Sequence, residues 1–365
     1  MPYKNIELPT YPVLSDMWDA LQREERPIVV YGMGNGADKL FSRLEKYGVR
    51  VSDIFASDGF VRGHSYHGMR VKSFSEIKEE YSDFVILLSF ASNREEVLSM
   101  LSEINDNYDM LIPDMPVCAE SEYFDREFYN KNYAQILKAY ECLEDEASRR
   151  SFASVINYKL TGKMQYLLDA TCDKNELYST LTADAVRRII DVGAYNGDTL
   201  LEAKEYFRSL EAALCIEPDP KTYKKLLRAA ERLEGVEVKC INAAAWDSEG
   251  KTSFLSGANR NSSVSSTASF EHKTVAVPLV SVDSLSFNAD YIKYDVEGAE
   301  YEALLGSAKT IESCRPQLLV SLYHRSADIF SLVNMLKEKY PFYKAYIRRL
   351  RCVPAWELDL ILIPT

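Results

Sequence analysis

Two stretches of the chain alternate short apolar runs with amphipathic ones, and a polar stretch lies between them. In the first, Pro27-Ile-Val-Val-Tyr31 reads as a strand, and Gly32-Met-Gly-Asn-Gly36 reads as a tight turn. Ala37 to Tyr47 has helical periodicity, Val49 to Phe55 reads as the next strand, and Phe84 to Phe90 is continuously apolar. A run without polar alternation fits a strand buried on both faces of a parallel sheet. Strands alternating with helices predict a small Rossmann-like α/β domain over residues 1–118. Val117 to Thr161 holds neither glycine nor proline and predicts two or more helices, hence a helical linker over 119–170.

The second series, over residues 171–365, predicts seven strands: Arg188 to Val192, Ala212 to Ile216, Val236 to Ala243, Tyr291 to Asp295, Gln317 to Leu322, Tyr343 to Arg348 and Glu357 to Ile363. Helical stretches lie between them at Leu200 to Phe207, Pro220 to Leu233, Ala299 to Ile311 and Ala327 to Tyr340. With a short turn at Pro354, the pattern describes a doubly wound sheet closed by an antiparallel hairpin. Ser256 to Ser269, rich in Ser and Asn, reads as a mobile loop able to close over a ligand.

The chain of 365 residues favours two domains of ordinary size. Its net charge of −12 disfavours a free nucleic-acid partner. No signal peptide or membrane-spanning stretch is expected. Seven scattered cysteines without a C-x-x-C pair suggest buried reduced thiols, so the expected location is the cytoplasm.

The site chemistry begins at Ile189-Ile-Asp-Val-Gly-Ala-Tyr-Asn-Gly-Asp-Thr199. An apolar strand ends at Asp191, and Gly193 and Gly197 flank a turn into a helix, where open α/β sheets bind ligands. Glu217 ends the next strand, suited to accepting ribose hydroxyls, and Asp247 follows the third, within reach of an adenine amino group. Helix caps or solvated turn residues are the plain alternative for both. In Ile292-Lys-Tyr-Asp-Val-Glu-Gly298, residues Lys293, Asp295 and Glu297 would share a strand face. They could orient or deprotonate an acceptor hydroxyl, or Asp295 and Glu297 could hold a divalent cation; Lys293 pairing with Asp295 merely to hold the strand end is the alternative. His324, after another apolar strand, is a candidate base or a hydrogen-bonded structural residue. His64, His67 and His272 fall in loop-like stretches and receive no role.

From about Tyr178 onward these segments resemble the FkbM family of methyltransferases. The resemblance is carried by Asp191 to Thr199, Glu217 to Pro220, Asn242 to Gly250, Asn261-Ser-Ser263, Val282 to Leu285, Ile292 to Glu300 and Arg315-Pro316. It implies a class I methyltransferase fold, S-adenosylmethionine as methyl donor, and a hydroxyl acceptor on a sugar, glycan precursor or secondary metabolite. By position it implies cofactor contacts from Asp191, Gly193, Ala194, Asn196, Gly197, Glu217 and Asp247, with Asp295, His324 and Lys293 as catalytic candidates and no required metal. Two positions depart from the family pattern: Tyr195 intervenes before Asn196, and Tyr294 replaces an aliphatic residue.

Gly32, Gly34 and Ala37, with Asp58 near the next strand end, are similar to a dinucleotide-binding pattern. That leaves an NAD-dependent sugar oxidoreductase as a rival, although no Tyr-x-x-x-Lys pair sits where hydride transfer would need it. A non-catalytic cofactor-binding module is a second rival. A degenerate N-terminal domain could instead position acceptor or mediate contacts in a homodimer.

Overall fold

The structure is a computed structural model that describes residues 6–61, 63–118, 121–256 and 273–365. The N-terminal domain contains β1 (Ile28–Tyr31), β2 (Asp53–Ala56), the hairpin β3 (Ser65–Tyr66) and β4 (Met69–Arg70), then β5 (Lys72–Ser73), β6 (Val85–Leu88) and β7 (Asp109–Leu111). Its five-stranded parallel sheet runs β5-β2-β1-β6-β7. Every residue of β1, β2 and β6 is buried, as their lack of polar alternation requires.

The C-terminal domain contains β8 (Arg188–Val192), β9 (Ala212–Ile216), β10 (Glu237–Ile241), β11 (Ala244–Ala245), β12 (Gly250–Ser256), β13 (Lys273–Val280), β14 (Tyr291–Tyr294), β15 (Gln317–Ser321), β16 (Tyr343–Arg349) and β17 (Leu358–Pro364). Seven of these form one sheet in the order β10-β9-β8-β14-β15-β17-β16. The strands are parallel except β17, which is antiparallel to both β15 and β16. The order reverses direction between β8 and β14, the switch point at which a doubly wound sheet opens a ligand crevice. This is the α/β doubly wound sheet with a closing antiparallel pair expected from the sequence.

Two local expectations need correction. The third strand stops at Ile241, and the chain re-pairs as β11 in a separate sheet, β11-β13-β12. Nor is the β16–β17 connection a short turn. It runs over residues 350–357, and Val353 leaves the hairpin to exchange backbone hydrogen bonds with Ser92 of the N-terminal domain, at 2.8 and 2.9 Å. The segment 257–272, which contains most of the expected mobile loop and Asn261 to Ser263, lies outside the described residues.

The linker contains helices Arg126–Glu141 and Glu146–Thr161, opened by Asp125 and Asp145, whose side chains accept from Phe128 N–H and Ser148 N–H. Such N-caps satisfy donors that a helix start leaves free. The second helix lies on β16: Ile347 N–H donates to Ser148 Oγ (2.9 Å), and Arg348 pairs with Asp145 (2.7 Å). Phe128, Tyr129, Phe152 and Ile156 belong to a single apolar cluster that also takes in Val29 and Ile86 of the first sheet and Ile190 and Leu318 of the second. Among the described residues no helix is long and apolar enough to cross a membrane, and the seven cysteines are free.

Candidate active site

The carboxyl ends of β8, β9, β14, β15 and the start of β17 open onto one cleft of about 760 Å³. That volume suits a cofactor with a small acceptor. Gly193, Glu217, Lys293, Asp295 and Glu297 all line it, so the structure brings these five expected residues together.

On the β8–β9 side, Gly193 has φ of +89°, and a Cβ there would overlap the carbonyl oxygen of Asp295. Only glycine lets the ends of β8 and β14 meet so closely. Glu217 is held at both oxygens: Oε1 accepts Asp219 N–H at 2.8 Å and Oε2 accepts Tyr195 N–H at 2.9 Å. A carboxylate has about four acceptor positions, so each oxygen keeps capacity for a ligand hydroxyl. Burial raises its pKa to about 7 despite those two donors. Asp191 is 1% exposed, and neither oxygen has a hydrogen-bond partner among the described residues. Burial raises its pKa to about 6, against the opposing Lys293 charge on the neighbouring strand.

The remaining expected cofactor residues stand elsewhere. Ala194 is buried, with its N–H bonded to Ile216 O at 3.0 Å. Asn196 Oδ1 accepts Asp198 N–H at 3.1 Å and faces a separate shallow depression beside Lys225 and Arg228. A Cβ on Gly197 would come within 2.6 Å of Ala229, so this glycine serves helix packing. Asp247 lies outside the cleft lining. The re-pairing of β11 carries it past the strand end, where it is exposed and accepts from Ser248 Oγ at 2.7 Å. At this edge the lining is made by Ala243, Ala244 and Ala245.

On the β14 side, Lys293 donates to Thr199 Oγ1 (3.0 Å) and to Asp295 Oδ2 (3.2 Å). Tyr323 Oη donates to Asp295 Oδ1 at 3.2 Å. Burial alone would raise the pKa of Asp295, but the charges of Lys293 and His324 with these donors hold it below the usual carboxylate range. Glu297 adopts φ of +54°, a left-handed conformation that costs a non-glycine residue about 1 kcal/mol or more. Burial raises its pKa to about 8.

His324 is fully buried beneath this group. Its Nδ1 lies 2.9 Å from Glu300 Oε1, and its Nε2 lies 3.5 Å from both Asp295 Oδ1 and Glu297 Oε2. Burial opposes its positive charge, yet the carboxylates of Glu300, Glu297 and Asp295 outweigh it and raise the pKa to about 10. These carboxylates favour the imidazolium form of His324 at neutral pH. An imidazolium has no free lone pair with which to take a proton, which disfavours the role of base.

Donor atoms of Asp295, Glu300 and His324 fall within 4.8 Å of one another, close enough to ligate a cation. Two positive side chains, Lys293 and His324, already offset Asp295 and Glu300 at that point.

The N-terminal glycine turn is closed by its own domain. Gly34 N–H, at the start of helix Asn35–Lys46, donates to Tyr66 Oη at 3.1 Å. Tyr66 in turn reaches the Gly34 carbonyl and Asp38, and His67 also meets Asp38 at 2.9 Å. A dinucleotide phosphate at this helix start would need that amide free, and would face the Asp38 carboxylate. Asp58 lies beyond β2 in a short 3₁₀ turn.

Tyr323, Trp356 and Asp359 also line the cleft, and Glu300 stands against His324, although the sequence reading singles out none of the four. Asp359 had a readable signal, a carboxylate inside the apolar run Leu358 to Leu362. Trp356 has none, because the connection that carries it reads as a turn in sequence.

In sequence, the chain matches the family model for the methyltransferase FkbM domain over residues 191–348, which holds all of these strand ends up to β16. In structure, it is similar to the methyltransferase FkbM from Methylobacillus flagellatus KT, at 19% identity and a TM-score of 0.68, covering 96% of this chain and 94% of that one. Fainter likenesses include an rRNA methylase from Streptococcus thermophilus (9% identity, TM-score 0.34, 52% of this chain and 93% of that one). Another is precorrin-6y C5,15-methyltransferase from Geobacter metallireducens GS-15 (11% identity, TM-score 0.32, 53% and 91%). At such scores neither adds to the fold assignment. No curated protein matches the chain in sequence. The FkbM domain model thus covers the site-bearing strands, and the likeness in structure to an FkbM methyltransferase runs over nearly the whole length, so both comparisons support the resemblance to the FkbM family.

Proposed function

We propose that the protein is an S-adenosylmethionine-dependent O-methyltransferase acting on a hydroxyl of a sugar or a similar small metabolite. The observation that carries this reading is the division of one cleft at the strand switch point. The Gly193 turn and Glu217 stand on one side, and Lys293, Asp295 and Glu297 on the other.

The residues fit the adenosyl cofactor. Glu217 is fixed by two backbone donors with acceptor capacity left for the ribose hydroxyls, and Ala243 to Ala245 leave a flat wall for the adenine in place of Asp247. Gly193 lets the backbone approach closely, and Tyr195 lines the cleft beside it. When bound, S-adenosylmethionine would supply an activated methyl on its sulfonium, with S-adenosylhomocysteine as the leaving group of the transfer. The protein's task is alignment, which can supply several kcal/mol of the barrier. Asp295, pinned by Lys293 and Tyr323, accepts a hydrogen bond from the acceptor hydroxyl. A hydroxyl oxygen that has gained a methyl becomes strongly acidic, so even a weak base such as Asp295 suffices to take its proton afterwards. His324 is a positioning residue, fixing Asp295 and Glu297 by charge.

The test has two parts. S-adenosylhomocysteine, at 100 times its dissociation constant, should add about 2.7 kcal/mol of stability and raise the melting temperature. Radiolabelled methyl should then pass from S-adenosylmethionine to a hydroxylated acceptor in a screen, and Asp295→Ala should abolish that transfer. Melting unchanged by S-adenosylhomocysteine would refute the reading.

A further inference from the structure

The cleft also has a part whose residues the cofactor reading leaves without a role. Its walls are Tyr323, the β16–β17 connection with Arg351 and Trp356, Asp359 at the start of β17, and Asn93 from the N-terminal domain. Trp356 is only partly buried, so its ring is available to a ligand.

The connection that carries Trp356 is held on several sides. Leu350 N–H donates to Glu357 O at 3.0 Å, closing its base, and Trp356 N–H donates to Pro354 O at 2.9 Å. Across the domain boundary, Ser92 and Val353 exchange hydrogen bonds, and Arg351 pairs with Glu95 at 2.7 Å. An aromatic platform fixed before the ligand arrives loses little entropy on binding.

Charge narrows what can bind there. Nine Asp and Glu residues line the cleft against three basic residues. Each of the three is already paired: Lys174 with Glu202, Lys293 with Asp295, and Arg351 with Glu95. A phosphate or diphosphate would meet a carboxyl-rich wall with no uncommitted cation among the lining residues. A neutral sugar ring meets no such penalty. Its C–H face stacks on an indole, and its hydroxyls hydrogen-bond with carboxyl groups in either state, including Asp359, which burial pushes up to about 8.

We infer that this half of the cleft is a sugar subsite, in which an unphosphorylated, uncharged pyranose stacks on Trp356 and hydrogen-bonds to Asp359 while presenting one hydroxyl to Asp295. The subsite rests on the methyltransferase reading and goes further, because it excludes nucleotide-linked and phosphorylated sugars as acceptors. It also gives the N-terminal domain a part in recognition, through Asn93 and the Ser92–Val353 pairing.

The experiment uses the full chain labelled with ¹⁵N-tryptophan and saturated with S-adenosylhomocysteine. Methyl glycosides of neutral hexoses and a UDP-hexose are titrated, and the indole N–H signals of Trp18, Trp246 and Trp356 are followed, with Trp356→Phe giving the assignment. A neutral glycoside should shift the Trp356 signal alone. Trp356→Ala should weaken that glycoside at least tenfold, Trp356→Phe should weaken it less, and the affinity for S-adenosylhomocysteine should stay within twofold. UDP-hexose should bind more weakly than the matching methyl glycoside. Glycoside binding that survives Trp356→Ala, no glycoside response in the cofactor-loaded protein, or preference for UDP-hexose would each overturn the subsite. Failure of the wild-type protein to take up S-adenosylhomocysteine in the first place would mark the failure of the methyltransferase reading instead.

Discussion

Glu217→Ala isolates the cofactor half of the cleft. Glu217 is 6% exposed and fixed by Tyr195 N–H and Asp219 N–H. Two ribose hydroxyls donating to it would form charge-assisted bonds worth roughly 1.5 kcal/mol each at the low end of their range, about 3 kcal/mol together. Since 1.4 kcal/mol is a factor of ten, the variant should bind S-adenosylhomocysteine roughly 150-fold more weakly by isothermal titration calorimetry at pH 8. The wild-type protein carries a second signature. Burial places the Glu217 pKa at about 7, so the carboxylate that receives the ribose is mostly lost at pH 6. Affinity should fall about tenfold from pH 8 to pH 6, and Glu217→Ala should flatten that dependence. Folding responds in the opposite sense, because a raised carboxyl pKa favours the protonated native state. The stability contributed by protonated Glu217 is complete below about pH 4.5 and is lost as pH rises through about 7. That loss is about 3 kcal/mol. An affinity within threefold of wild type in Glu217→Ala, or a wild-type affinity that does not change with pH, would refute the assignment of Glu217 to the ribose.

Three further outcomes follow from the same geometry. Gly193→Ala places a Cβ against the Asp295 carbonyl at a left-handed φ, and should lower stability by at least about 3 kcal/mol, read as a lost or strongly lowered melting transition. His324→Gln removes the cation between Asp295, Glu297 and Glu300, and should cost about 3–5 kcal/mol in urea unfolding at pH 7; a cost under 1 kcal/mol would show that the imidazolium is not what holds them. NAD at millimolar concentration should leave the melting temperature unchanged, because Tyr66 occupies the Gly34 amide, whereas a clear upward shift would revive the dinucleotide reading.

Much of the architecture was legible because parallel strands covered on both faces must be apolar throughout. Val85 to Leu88 and Ala212 to Ile216 declare themselves in that way, and both are wholly buried. The small sheet β11-β13-β12 was missed because β12 runs into the Ser-rich segment and β13 carries Pro278, which weakens any strand pattern. In the site, Gly193 and Glu217 were readable from local spacing, since a strand end fixes where they emerge. The state of His324 was not. Its charge is set by Asp295, Glu297 and Glu300, which stand 24 to 29 residues away in sequence and meet it only once β14 and β15 pair. Asp247 was misjudged for the converse reason, because a switch of sheet two residues upstream redirected the chain.

The continuous apolar cluster running through both sheets and the linker helices has a mechanical consequence. Two lobes that share one interior cannot swing apart without wetting it, so substrates must enter and products leave through small shifts of surface segments around the cleft mouth. Heat or urea should likewise melt the whole chain in one step, and cutting between the lobes would leave each with a bare greasy face.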